Sequence, residues 1–583
     1  MMAAAALVAA SCSDFDDYNE TPAESVAAAS KTLWENINGN PKLSQFASLV
    51  KKAGYDEKLS SARTYSVWAP LNNSFDYSKW ESADSAAVRF QFVENHIANY
   101  NRYISSPVSE RVTTLNYKSY ALEGSSAAAT FGNIAIDSLN MPCSNGVLYT
   151  LNGEAVYRHS FYEYLTANKE TDSLSRYIMR YEQSTLDEEN SVPGPIVDGV
   201  QTWEDSVMIV SNDYLYGRGG INAYLISEDS SYVMLMPTNE AWDQSYKTLK
   251  QRFNYGSGKI LSKRFYMDNT SVKEEEVTDE VGAAYLSDSL ARRTLVSDLV
   301  FSTKNWYNRW LENVNPSFCD TLQSTNRSKF SNPQELLSHK TEEVLMSNGR
   351  GIVVDTLAFK PWEWYASSSS ARSCSAYKYS KNPESHTITK LKSDLPPFDF
   401  CYPNLFKSGS IKYERIEPKL TTSEMSIYYD IKGLTAGTYS VYCIMLPPDA
   451  DADHASYEPE PEMLPTVINS SIWMYNAKTS KTMELFFKPG ERTPLTTGPK
   501  STDVEGKNDP TQWAFVNDIT KIDPVYLGDV TLDVSYYGLE NGRLTVKIAV
   551  PRLHADYKES YSRTLRVARV MLVPVELSKS NQL

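Results

Sequence analysis

Asp449, Asp451 and Asp453 stand two residues apart, and Glu460 falls at the twelfth position counted from Asp449. A calcium loop of the EF-hand kind takes oxygen ligands from its first, third, fifth and twelfth positions, so this spacing could hold a hard cation. Against calcium stand His454 at the sixth position, which wants glycine, and the prolines 447, 448, 459 and 461 where helices would flank. A solvated acidic loop accounts for the same residues. Two tryptophan pairs could stack on sugar rings: Trp306 with Trp310, one helical turn apart, and Trp362 with Trp364, on one strand face. Core or interdomain packing is the competing reading for both. The six histidines are scattered, and His96 on an apolar helix reads as packed and hydrogen-bonded. Gly256-Ser257-Gly258-Lys259 lacks the leading glycine of a phosphate loop, and no nucleophile elbow or zinc-hydrolase motif appears. No catalytic residue and no cofactor other than that calcium are predicted. A hydrolase using a carboxylate pair near the C-terminus is the remaining enzymatic reading, and no motif supports it.

The elements that must carry these groups are bounded by composition. The chain has 583 residues with 57 Lys+Arg against 72 Asp+Glu, a net charge of −15, which argues against nucleic acid and anionic membrane surfaces. That length predicts about three or four domains. A hydrophobic share of 41% with 12% aromatics excludes a mostly disordered chain. Cys143, Cys319, Cys374, Cys401 and Cys443 are spaced irregularly, with no CxxC pair. Their odd number leaves at least one thiol free even if one or two disulfides form. No window approaches the roughly 18–20 apolar residues of a spanning helix.

Apolar residues from Thr32 to Leu59 recur with helical period and Gly54 closes that helix. Next comes Tyr65-Ser66-Val67-Trp68-Ala69-Pro70-Leu71-Asn72-Asn73-Ser74-Phe75: a buried strand stopped by proline, then an Asn predicted to cap the next helix. The pattern recurs as Tyr232-Val233-Met234-Leu235-Met236-Pro237-Thr238-Asn239-Glu240-Ala241-Trp242. Phe92 to Ile97 contains His96, and Ser144-Asn145-Gly146 and Ser347-Asn348-Gly349 each open a closing strand. This ordered set resembles the fasciclin (FAS1) family, with the second copy lacking the histidine and swollen between Trp242 and Ala291. The resemblance implies two α+β FAS1-like domains, at 31–157 and 158–365, of the adhesion and interaction class. Residues 366–383 are Ser-rich and read as a linker. From 384 to 583 the period is two with Gly turns, which predicts an all-β sandwich, jelly-roll-like, so the chain is expected to be multidomain.

At the other end, residues 1–11 are uncharged and Ala-rich, and Ala9-Ala10-Ser11-Cys12 precedes Ser13-Asp14-Phe15-Asp16-Asp17. This resembles a bacterial lipoprotein signal, which implies lipidation at Cys12, and the acids Asp14, Asp16 and Asp17 resemble a Bacteroidetes surface-export signal. Residues 12–30 read as a tether. Asp followed by Ser85, Ser138, Ser173, Ser206, Ser289, Thr321 or Thr356 resembles the O-glycosylation sequon of such exported proteins; helix capping by Asp is the alternative. Together these imply a non-enzymatic lipoprotein on the extracellular face of the outer membrane, anchored by lipid only. Its expected partner is a SusC/SusD-type nutrient importer or other surface proteins and glycans. The alternative is a glycan-binding protein that captures polysaccharide through the C-terminal β-sandwich.

Overall fold

The computed structural model describes residues 28–583 apart from 218–219, 257–259, 267–268, 314–320, 332, 361–371, 375–378, 382, 396–410, 420–423, 453–462, 500–508, 541 and 579–583. Cys12, Asp14, Asp16, Asp17, Asp453, Glu460, Trp362 and Trp364 therefore lie outside the described residues. The chain divides into two compact units: Met1–Asn168 with Tyr224–Tyr232 and Val344–Gly351, and the remainder to Leu583.

In the first unit, Thr32 and Glu35 form a reciprocal capping box that starts helix α1 (Leu33–Asn38). The helix expected across 32–59 is three helices, because Asn40-Pro41 removes a backbone donor and restarts the chain as α2 (Ser44–Lys52). Gly54, at φ 69°, ends α2 before α3 (Asp56–Ser60). Seven strands follow: β1 (Tyr65–Pro70), β2 (Ile97–Asn99), β3 (Val108–Thr113), β4 (Ser119–Gly124), β5 (Ala129–Phe131), β6 (Ile134–Cys143) and β7 (Gly146–Leu151). They form one sheet in the order β2-β1-β7-β6-β5-β4-β3, with β1 and β7 parallel and buried along their length. One core cluster packs α1–α3 on one side of β1, and another stacks Trp68 between Phe131 and Tyr149 on the other.

The closing Asn is what locks this frame. Asn145 Oδ1 accepts the Leu33 N–H at 2.7 Å, and its Nδ2 donates to the carbonyls of Leu59 and Ser61. The second copy repeats the device: Asn348 Oδ1 accepts the Phe161 N–H at 3.0 Å, and its Nδ2 donates to Leu225 and Ser227. A Cβ on the following glycine would sit 2.1 Å from the Tyr65 carbonyl at Gly146 and 2.0 Å from the Tyr232 carbonyl at Gly349, so only glycine fits there. The other repeated Asn works differently from the sequence expectation. Asn72 does not cap the helix after it, which Asp76 caps, but accepts the Gln45 N–H of α2 at 3.0 Å. Asn239 likewise accepts the Ser173 N–H of the earlier helix at 2.8 Å, while Thr238 caps Asn239–Arg252. The second copy's sheet runs Val300–Ser302, Tyr232–Pro237, Gly349–Val354, Lys340–Met346.

His96 is buried, its Nδ1 2.7 Å from the Phe92 carbonyl and its Nε2 accepting the Ala155 N–H at 2.9 Å. Burial pulls its pKa from 6.5 to about 4, with the Phe92 carbonyl opposing. The unfolded chain thus takes a proton near pH 6.5 that the folded chain refuses until about pH 4. Stability from this residue is complete above pH 6.5 and should fall by up to about 3 kcal/mol as pH drops to 4. Denaturant unfolding across that pH range checks this, and a flat profile would contradict it.

The second unit adds two six-stranded antiparallel sheets to the remainder of the second copy. The Ala436 N–H bonds the Arg252 carbonyl and the Ser535 N–H that of Asn254. The Ser-rich stretch expected as a linker supplies a strand to each sheet: Arg372–Cys374 pairs with Leu565–Pro574, and Tyr379–Lys381 with Met425–Lys432. Two insertions interrupt the second copy. Ile260–Tyr266 and Asn269–Thr278 pair within the swelling expected after Trp242. The other was not expected. It is a ribbon in which Glu182–Leu186 pairs with Met208–Asn212 and Val192–Val197 with Val200–Asp205, turning at Asp198-Gly199 where both φ are positive.

Candidate functional site

A cleft of about 540 Å³ opens in the first unit. Antiparallel pairing of β1 with β2 sets Tyr65 opposite Asn99, which brings Arg63 beside Tyr100 and Arg102. Helix α3 contributes Lys58, the π-helical turn Val88–Val93 contributes Arg89, and the turn after β3 contributes Thr114, Leu115 and Tyr117. Four cations and one carboxylate, Glu94, line the cleft of a chain whose net charge is −15.

The partners of these groups decide what is free. Arg89 Nε bonds Glu94 Oε1 at 2.9 Å, and the Tyr55 hydroxyl donates to the same oxygen. Burial and then that carboxylate push the Tyr55 phenol well above its ordinary range. Arg102 Nη1 meets Glu110 at 3.2 Å, but its buried Nε–H has no acceptor among the described residues. Lys58 Nζ donates to Tyr55 Oη at 3.1 Å and Arg63 Nη2 to Asn99 Oδ1 at 3.1 Å. Among the described residues, neither Lys58 nor Arg63 forms an ion pair.

Two tyrosines flank these cations with their rings in solvent, Tyr100 at 73% and Tyr117 at 78% exposure. Both have left-handed backbones, φ 71° and 65°. A bulky side chain there costs about 1–3 kcal/mol unless its surroundings hold it. Ser66 Oγ holds Tyr100 by donating to its carbonyl at 2.8 Å and accepting the Arg102 N–H at 3.0 Å. Tyr117 is held from both sides, since Asn116 turns inward onto Phe90 and Asn95 while Lys118 turns inward as well. The second copy makes the same turn with Arg327 at φ 69°. The turn therefore belongs to the fold, and the exposed ring belongs to the first copy.

Lys118 is 3% exposed, and its Nζ lies 2.5 Å from Glu163, 2.8 Å from Glu228 and 3.2 Å from Ser347 Oγ. Burial pushes the Glu163 carboxyl up, but the Lys118 hydrogen bond and the Ser160 N–H outweigh it and hold the group below its ordinary range. Sequence reasoning missed this cluster; its one signal is a lysine where the second copy's equivalent turn has Ser328.

Of the four expected calcium ligands, Asp449 and Asp451 are described. Asp449 is exposed, whereas Asp451 turns inward and bonds Arg566 Nε and Nη2, both at 2.8 Å. Asp451 is thus already neutralised by Arg566, and no metal cluster occurs among the described residues. The tryptophans at 306 and 310 do not share an exposed face: Trp306 is 75% exposed, Trp310 half-buried with its Nε1 sequestered. Their expected single helix is split into Trp306–Asn308 and Trp310–Asn313, so they form no paired platform. Cys143 and Cys443 are free and buried, and burial pushes the Cys143 thiol up to about 11.

Of the seven Asp-Ser/Thr sites, Asp84 and Asp172 cap helices, which explains the acid before Ser85 and Ser173 without a sugar. Asp288 pairs with Arg292 beside Ser289, and Asp355 lies 3.4 Å from His339 beside Thr356. Ser138 lies in β6, while Ser206 is exposed and Thr321 half-buried.

Residues 41–153 match the fasciclin domain family. This span holds α2 to β7 and the whole cleft, so the cleft belongs to a fasciclin domain. Such domains are associated with cell adhesion or surface binding and are typically non-enzymatic, and no enzyme family is indicated. Among solved structures, a FAS1 domain pair from the insect cell adhesion molecule fasciclin I shares 12% identity, covering 56% of this chain and 99% of its own, with a TM-score of 0.19. The clasp at Asn348 repeats that at Asn145, which marks an internal repeat of the hydrogen-bonding device. No curated protein matches the chain.

The second unit carries an exposed apolar surface of its own. On the ribbon of the second unit, Ile196, Val197, Val200, Met208, Ile209 and Val210 are all exposed. They lie on two successive two-stranded sheets whose edges are open, the kind of strand surface that takes a partner.

Proposed function

We propose that this chain is a non-enzymatic surface binding and adhesion protein, lipidated at Cys12 and carried on the outer face of the outer membrane. In this reading it serves as an accessory subunit of a SusC/SusD-type nutrient importer. The observation that carries it is the apolar ribbon, with Ile196 69% and Val200 66% exposed, which suits a protein partner better than solvent. The test is mild detergent extraction of native outer membranes with a tag at Leu583. A transporter should co-purify with the natural chain and be lost when Ile196, Val200 and Ile209 are changed to Ser. Recovery of the tagged chain alone would end the importer reading.

One observation favours glycan capture by the C-terminal sheets, read as the two halves of a jelly-roll-like β-sandwich. A groove of about 320 Å³ is lined by Asn469, Ser471, Phe486, Phe487 and the Glu424–Lys547 pair at 2.9 Å. Asn469 Oδ1 is buried there with no donor among the described residues. Retention on a neutral polysaccharide gel that Asn469→Ala abolishes would select this second reading.

A further inference from the structure

We propose that the cleft of the fasciclin domain binds an acidic saccharide, its pyranose ring laid on Tyr100 or Tyr117 and its anionic group held by Arg63, Lys58 and Arg102. This goes beyond the importer reading and does not depend on it.

The charge argument comes first. The Glu94 carboxylate is already shared by Arg89 and Tyr55, so the remaining cationic wall faces the cleft without an acid of its own apart from Glu110 on Arg102. Arg63 and Lys58 hold only neutral oxygens, and the buried Arg102 Nε–H has no acceptor among the described residues. A planar guanidinium accepts a carboxylate or sulfate in two-point geometry.

The rings argue for a sugar. Tyr100 and Tyr117 expose flat faces at a backbone cost, and the cleft has one aliphatic side chain, Leu115, beside hydroxyls from Tyr55, Thr113 and Thr114. That lining suits a ring with polar edges and an apolar face. An acidic peptide added as a strand is disfavoured by the sheet itself. The outer edge there is β2, three residues long, and its Ile97 carbonyl is already bonded by the Leu115 N–H at 2.8 Å.

Titration calorimetry of the full chain tests this with four probes: oligogalacturonate, a sulfated oligogalactoside, the neutral oligogalactoside and a poly-Glu peptide. At least one anionic sugar should bind about tenfold or more tighter than the neutral one, and added salt should weaken it. Binding of the galacturonate alone assigns a carboxylate and of the sulfated sugar alone a sulfate. Arg63→Gln and Tyr117→Asn should each weaken binding about tenfold, with the melting temperature held or raised because Asn tolerates the left-handed turn. Substituting the ribbon residues should leave sugar binding unchanged. The proposal is overturned if no anionic sugar binds, if poly-Glu binds as tightly, or if both cleft variants bind like the natural chain.

Discussion

Replacing Lys118 with Met should lower the stability of the first unit by about 3–5 kcal/mol, because two part-buried carboxylates then face each other with no cation between them. Glu228 leaves little room for relief: its side chain is 11% exposed, and its buried Oε2 has no donor among the described residues. The sign of the pH response follows. With Lys118 present, Glu163 stays ionised below its ordinary range, so its contribution is lost only as pH falls through that lowered value. Without the ammonium, the burial that pushes the Glu163 carboxyl up is no longer outweighed by Lys118, so the penalty should shrink as pH falls toward the ordinary Glu pKa of about 4.3. A second substitution, Glu228→Gln, should return part of the loss at neutral pH, which a double-mutant cycle reads directly. A loss below about 1 kcal/mol would show that solvent reaches the cluster and that the pair behaves like a surface bridge.

Asp451→Asn should be as costly in the second unit, about 3–5 kcal/mol, since it leaves Arg566, itself 4% exposed, against a neutral amide. Arg415 Nη1 also approaches Asp451 at 3.4 Å, and the Tyr413 hydroxyl donates to its other oxygen, so one substitution disturbs three groups. Asp449→Asn, on the exposed face of the same turn, should change stability by no more than about 0.5 kcal/mol. Denaturant unfolding of both variants, with and without added calcium, separates the structural role from the metal-binding one. A calcium-dependent rise in stability lost in Asp449→Asn would restore the cation site.

What could be read in the sequence was whatever is local. The strand stopped by Pro70 or Pro237 and the Asn-Gly turns are contiguous patterns, and both strands before the prolines are buried throughout. The direction in which Asn72 bonds was not local: its acceptor oxygen could serve the helix after it or the one before, and packing against α2 decided. The cleft was unreadable because Lys58, Arg63, Arg89 and Arg102 have no common spacing and meet only once β1 and β2 pair. The ribbon was hidden by Pro193 and Pro195, which argue against a strand, although a two-stranded ribbon has open edges that tolerate them. The partner of Asp451 was equally out of reach, since its side chain bonds Arg566, which is 115 residues away.

The two asparagine clasps also set a timetable for synthesis. Asn145 fastens to Leu33 across 112 residues, and Asn348 to Phe161 across 187. Neither copy can be latched until its last strand has been made, and the second must wait while both of its insertions are translated. At about 5–20 residues per second, the start of the second copy stays unfastened for on the order of ten to forty seconds. In that interval the nascent chain exposes Phe161, Leu165 and the apolar ribbon together. This is the period in which an export chaperone would have the most surface to hold.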